Sequence, residues 1–99
     1  MIAIAASTSL DPDVATAAAA EAIRSAGGFV EGIRERTDEA AMIGFDIPAL
    51  GLASLGAYLG AAGLELDPDS DVAMSGISAG VHATTVRGTL YLQFEDSGE

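Results

Sequence analysis

Gly76-Ile77-Ser78-Ala79-Gly80 matches the G-x-S-x-G pattern of a hydrolase nucleophile, and His82 follows two residues later. That chemistry needs a sharp strand-to-helix turn that exposes the serine, and a histidine base placed late in the chain after an acid. The residues that follow, Ala83-Thr84-Thr85-Val86-Arg87-Gly88, are poor material for such a helix, and the chain is too short for that fold. The segment is expected to be a bent or bulged strand. His82 is the only histidine, so no multi-histidine metal site exists, and a general base also needs an orienting partner. It is read as a surface group at a hairpin end. No catalytic residue is assigned.

Asp67-Pro68-Asp69-Ser70-Asp71 sets acids at the first, third and fifth positions of a calcium-loop pattern. The sixth position should be glycine and is Val72, and the twelfth should be glutamate and is Ser78. Glu65–Asp71 is therefore expected to be a solvated acidic turn, with no metal and no cofactor. The absence of cysteine removes disulfides, thiolate catalysis and sulfur-ligated zinc. Ser7-Thr8-Ser9 could offer hydroxyls to a ligand, but hydroxyls ahead of a helix more often cap it.

Charge points further. Fifteen acids face four arginines and no lysine, for a net charge of −11 and a pI near 4.1. Nucleic-acid affinity comes from Lys and Arg displacing counterions from phosphate, so direct nucleic-acid binding is excluded, as is attraction to an anionic membrane. Ile47–Leu64 carries no charge, but Pro48, its glycines and the lack of flanking basic residues argue against a membrane span. Met1–Ser7 lacks the basic residues of a signal peptide's first region, so it is expected to begin the fold of a cytoplasmic protein.

One domain of 99 residues is expected, with an ordered core over 1–94 and an acidic tail over 95–99. Twenty alanines and twelve glycines leave few large anchors. Elements must therefore approach one another closely. Ile2–Ala6 reads as a buried strand. Asp11 and Pro12 start a helix that Gly27-Gly28 stops, with Val14, Ala18, Ala22 and Ile23 expected on its buried side. Phe29–Arg36 and Ala40–Ile47 read as a hairpin; in the second arm Ala41, Ile43, Phe45 and Ile47 alternate with Met42, Gly44 and Asp46. Glu31 interrupts the first arm and Gly32 suggests a bulge. Pro48–Gly63 reads as a second helix with a Leu52-Leu55-Leu59 stripe. Val72–Val81 and Thr85–Phe94 are expected to close a C-terminal hairpin.

The order β-α-β-β-α-β-β implies an α+β two-layer sandwich, ferredoxin-like with an added C-terminal strand. Two helices should cover one face of an antiparallel sheet. The function expected is that of a small acidic interaction protein docking on a basic partner surface. Glu31, Glu35, Glu65, Asp67, Asp69, Asp71, Glu95 and Asp96 are the candidate contacts. An extreme form is an inhibitor that mimics nucleic acid, as phage anti-defence proteins do. The alternative is a homo-oligomeric small-ligand-binding domain whose acidity reflects salt adaptation or a GC-rich genome. A homodimer is expected from the mildly polar outer face of the last strand (Thr89, Tyr91, Gln93) and the small-residue helix 48–63.

Overall fold

The computed structural model of the chain describes residues 2–34, 36–37, 39–70 and 85–95. Strand β1 (Ile2–Thr8) leads through helix α1 (Pro12–Ser25) to the hairpin β2 (Phe29–Arg34) and β3 (Ala40–Pro48). Helix α2 (Gly51–Ala61), the two-residue β4 (Glu65–Leu66) and the long β5 (Thr85–Phe94) complete the order. The strands form one sheet in the order β2-β3-β5-β1-β4.

β5 takes the centre of this sheet. It pairs antiparallel with β3 from Thr85 to Gln93 and parallel with β1 from Gly88 to Phe94. The expected antiparallel sheet is thus corrected to a mixed one. β5 separates β1 from β3, which interrupts a ferredoxin-like order while leaving the α+β sandwich. Both edges of β5 are filled by these neighbours; the hairpin arm expected at Val72–Val81 lies outside the described residues. β4 is a further difference, because Glu65 and Leu66 were expected in a turn and instead pair with Ser7 and Ala6. Leu64, 1% exposed, anchors that edge in the core.

Both helices lie on one face. Their buried residues join Ile4, Ala41, Ile43, Phe45, Ile47, Leu90 and Leu92 in a single apolar cluster. Leu52, Leu55 and Leu59 are fully buried, as their spacing predicts. On α1 the expected face is rotated: Ala15, Ala19, Ala22 and Ile23 are buried, whereas Val14 is 55% exposed. Apolar alanines on every side of this helix leave its burial to be set by the sheet rather than by a hydrophobic stripe.

Local chemistry fixes the ends. The Asp11 side chain accepts from the Asp13 N–H at 3.1 Å and Pro12 opens the helix, where a missing N–H costs nothing. Both helices end alike. Gly27 and Gly63 adopt φ of 89° and 90°, and the N–H groups of Gly28 and Leu64 donate back to Ile23 and Leu59 at 2.8 and 2.9 Å, the Schellman arrangement. Gly88 serves packing instead. A Cβ there would stand 2.6 Å from the Phe45 ring and 2.7 Å from Ile2, so the central strand carries no side chain where the largest core residue lies across it.

Candidate functional site

Among the described residues neither α1 nor α2 packs on the opposite face of the sheet, and a helical turn at 68–70 borders it, where Asp67 and Pro68 meet Ala5, Ser7 and Gln93. Strand register sorts its residues into rows, since paired positions project to the same side. Ala40, Gln93, Ser7 and Glu65 form the row at the end where β1 and β5 finish. Arg34, Met42, Tyr91 and Ala5 follow, then Gly32, Gly44, Thr89 and Ala3, and lastly Phe29, Asp46 and Arg87.

Two hollows lie side by side in the upper rows. One, about 260 Å³, is lined by Ala5, Ser7, Gln93, Glu65, Asp67 and Glu95 among others. The second, about 550 Å³, is bounded by Glu39, Ala40, Met42, Tyr91 and Gln93 and shares Ala5 with the first. Backbone bonds hold the rim in place. The Phe94 N–H donates to the Glu39 carbonyl at 2.9 Å, the Glu95 N–H to Thr8 at 2.7 Å, and the Asp67 N–H to Ala5 at 2.9 Å. The result is a floor of small and mildly polar side chains with carboxylates around it.

Within the candidate set, the structure gathers Glu65, Asp67 and Glu95 at this end. Asp69 follows in the adjoining turn, where its N–H donates to the Asp67 carboxylate at 3.2 Å. Glu31 stands elsewhere, on β2 at the opposite end, 3.5 Å from Arg87. Glu35, Asp71 and Asp96 lie outside the described residues, as do His82 and the G-x-S-x-G segment. Sequence reasoning missed Glu39, which joins the rim because β3 starts where β5 ends; assuming that β3 pairs with β5 would have found it.

The arginines nearest the rim are engaged or set one row back, and the others lie elsewhere. Arg24 lies 3.8 Å from Glu21, Arg87 lies 3.3 Å from Asp46, and Arg36 pairs with Asp13. Arg34 stands opposite Met42. Among the described residues, Glu39, Glu65, Asp67, Asp69 and Glu95 have no basic partner within ion-pair distance, so this end of the sheet carries an uncompensated negative field. Near Arg87 the balance differs. Glu31 is held above the ordinary carboxyl range, first by sharing a hydrogen bond with Asp46, then by partial desolvation and the Asp46 charge. Arg87 and Arg34 oppose that shift.

Hydroxyls near the site serve the fold. Thr8 donates to the Gly63 carbonyl at 2.9 Å and accepts from the Leu10 N–H at 3.1 Å, which ties β1 to the end of α2. Ser70 accepts from the Ala5 N–H at 2.9 Å and so continues the β1 edge beyond β4. Among the described residues no group of three acids or histidines is close enough to hold a metal ion, and no helix is long and apolar enough to cross a membrane. No protein-family model, curated protein or solved structure matches the chain.

Proposed function

We propose that the chain is an interaction module whose acidic sheet end docks on a basic surface of a partner protein. The observation that carries this reading is placement: Glu39, Glu65, Asp67 and Glu95 share one end of the molecule without a basic partner among the described residues, while Arg24 and Arg87 lie elsewhere and Arg36 is paired with Asp13. Acidity acquired only for solubility has no reason to be polarised in this way. A concentrated field steers a basic partner and selects against acidic ones, and the shallow floor between the acids suits the aliphatic stems of Lys and Arg. The frame that presents this end reads as a split β-α-β sandwich opened at its centre by β5.

Capture from the native host's lysate tests the proposal, using the wild-type chain beside a Glu65→Gln/Asp67→Asn/Glu95→Gln variant. A basic protein retained by the wild type and lost with the variant supports it. Equal retention by both removes the acidic end from the interface. The sharper form, an inhibitor that mimics nucleic acid, demands in addition that DNA or RNA displace the captured protein.

A further inference from the structure

Strand β2 ends the sheet on the side away from β4. Its inner edge pairs with β3, and among the described residues no strand pairs with its outer edge. The outward N–H and C=O groups of such an edge are a template for another strand. Ile33 on this edge is 44% exposed. The register with β3 shifts between Val30 and Gly32, which leaves Glu31 as an extra residue. Its side chain lies beside that of Arg34 over Gly44, on the side of the sheet away from the helices. Glu31, Gly32, Ile33, Arg34 and Gly44 line a hollow of about 400 Å³, and a Cβ on Gly32 would meet no atom within 4 Å.

We infer that β2 pairs antiparallel with β2 of a second copy, continuing the sheet across a two-fold axis. A two-fold contact must be self-complementary, and residues paired across it must point to the same side of the sheet. Pairing Ile33 with Ile33 of the second copy meets both conditions. Gly32 then faces Arg34 of the second copy, whose guanidinium enters the hollow next to Glu31, and the same contact repeats across the axis. Other centres fail. Centring on Arg34 opposes like charges, and centring on Gly32 sets Arg34 against Val30, which pairs with the buried Phe45 and points to the helix side. Long-range charge also suits this edge in a chain of net charge −11. Glu65 on β4 stands four strands away, so the two β4 edges lie roughly 40 Å apart in the dimer, several times the Debye length of about 10 Å. The contact is small. An edge of six residues, about 20 Å long, falls well below a standard interface and sets the expected dissociation constant on the order of 100 μM.

Sedimentation equilibrium from micromolar to millimolar chain in moderate salt is the test, on the wild type and on Arg34→Glu, Glu31→Lys, Gly32→Lys and Ala57→Lys. Arg34→Glu and Glu31→Lys each oppose like charges across the axis and should weaken the dimer about tenfold. An equimolar mixture of these two should dimerise again, because each supplies the charge that the other lacks. Both remain strongly acidic, so overall charge cannot produce that recovery. Circular dichroism identifies a variant that fails to fold, the risk for Glu31→Lys beside Arg87. Gly32→Lys is then read, since its added Cβ has open space within the chain; it should weaken the dimer as well. Ala57→Lys makes the same charge change on the exposed side of α2 and should leave association unchanged. A wild type that stays monomeric at about 1 mM overturns the inference, as does a mixture that associates no better than its components. So does a dimer that Ala57→Lys dissolves and Gly32→Lys leaves intact.

Discussion

The two faces of the sheet are built from the same strands and do opposite things. On the helix side β5 contributes Leu90 and Leu92, at most 1% exposed; between them, on the other side, Tyr91 is 45% exposed. The covered face is apolar in every strand and supplies cohesion, at roughly 1.5–3 kcal/mol for each large side chain fully buried. The open face carries the arginines Arg34 and Arg87, the exposed aromatics Phe29 and Tyr91, and the acids of the rim. On the proposed reading, stability and docking are divided by face rather than by segment, so substitutions one residue apart should report on different properties.

The largest effect should come from the covered face. Phe45→Ala removes the largest fully buried side chain and should cost about 3–5 kcal/mol in urea unfolding. Met42→Ala, three residues away on the same strand but on the other side of the sheet, should cost less than about 1 kcal/mol. Comparable losses would mean that the open face is a second core.

A smaller effect follows from the void that Gly88 leaves for Phe45. Gly88→Ala forces a Cβ within 2.6 Å of the ring and should destabilise by about 1–3 kcal/mol. Combining it with Phe45→Leu should recover part of that loss, a coupling read from a double-mutant cycle. Strict additivity would show that the two residues do not compete for the same space.

On the open face the sharpest handle is pH. The folded-state pKa of Glu31 is raised above 4.5, chiefly by its hydrogen bond to Asp46. The stability this proton confers is present below that value and is lost as pH rises through the folded pKa. Glu31→Gln keeps the neutral form throughout. Its melting temperature should match the wild type near about pH 4 and exceed it progressively toward about pH 7. A constant difference across that range would mean the two carboxyls do not interact.

Much of the fold was legible in particular residues. The alternation in Ala41–Ile47 and Val86–Phe94 fixed both strands and their inward sides, and Asp11-Pro12 with Gly27 and Gly63 marked helix ends, because these signals are local. The sheet order was not legible. Nothing in ten residues of β5 states whether its neighbour is the preceding segment or β1 and β3, a choice made by long-range packing of Gly88 against Phe45 and Ile2. The buried side of α1 was hidden by its alanines, whose apolar pattern has no preferred direction. The acids split for the same reason: Glu65, Asp67 and Glu95 gather through the β1–β4 and β1–β5 pairings, and Glu31 departs because β2 lies at the far edge.

Placement against mere quantity of charge is the most direct question for the docking proposal. For a captured basic partner, stopped-flow association at low salt should compare Glu65→Gln/Glu95→Gln with Glu21→Gln/Glu31→Gln. Both variants lose the same amount of charge, but only the first lies on the acidic end. Removing steering charge slows association and flattens its salt dependence. The first variant should associate about three- to tenfold more slowly than wild type, with a shallower salt slope, and the second should stay near the wild-type rate. Equal slowing in both would show that net charge alone steers the encounter, and would contradict a docking site at the end of β1 and β5.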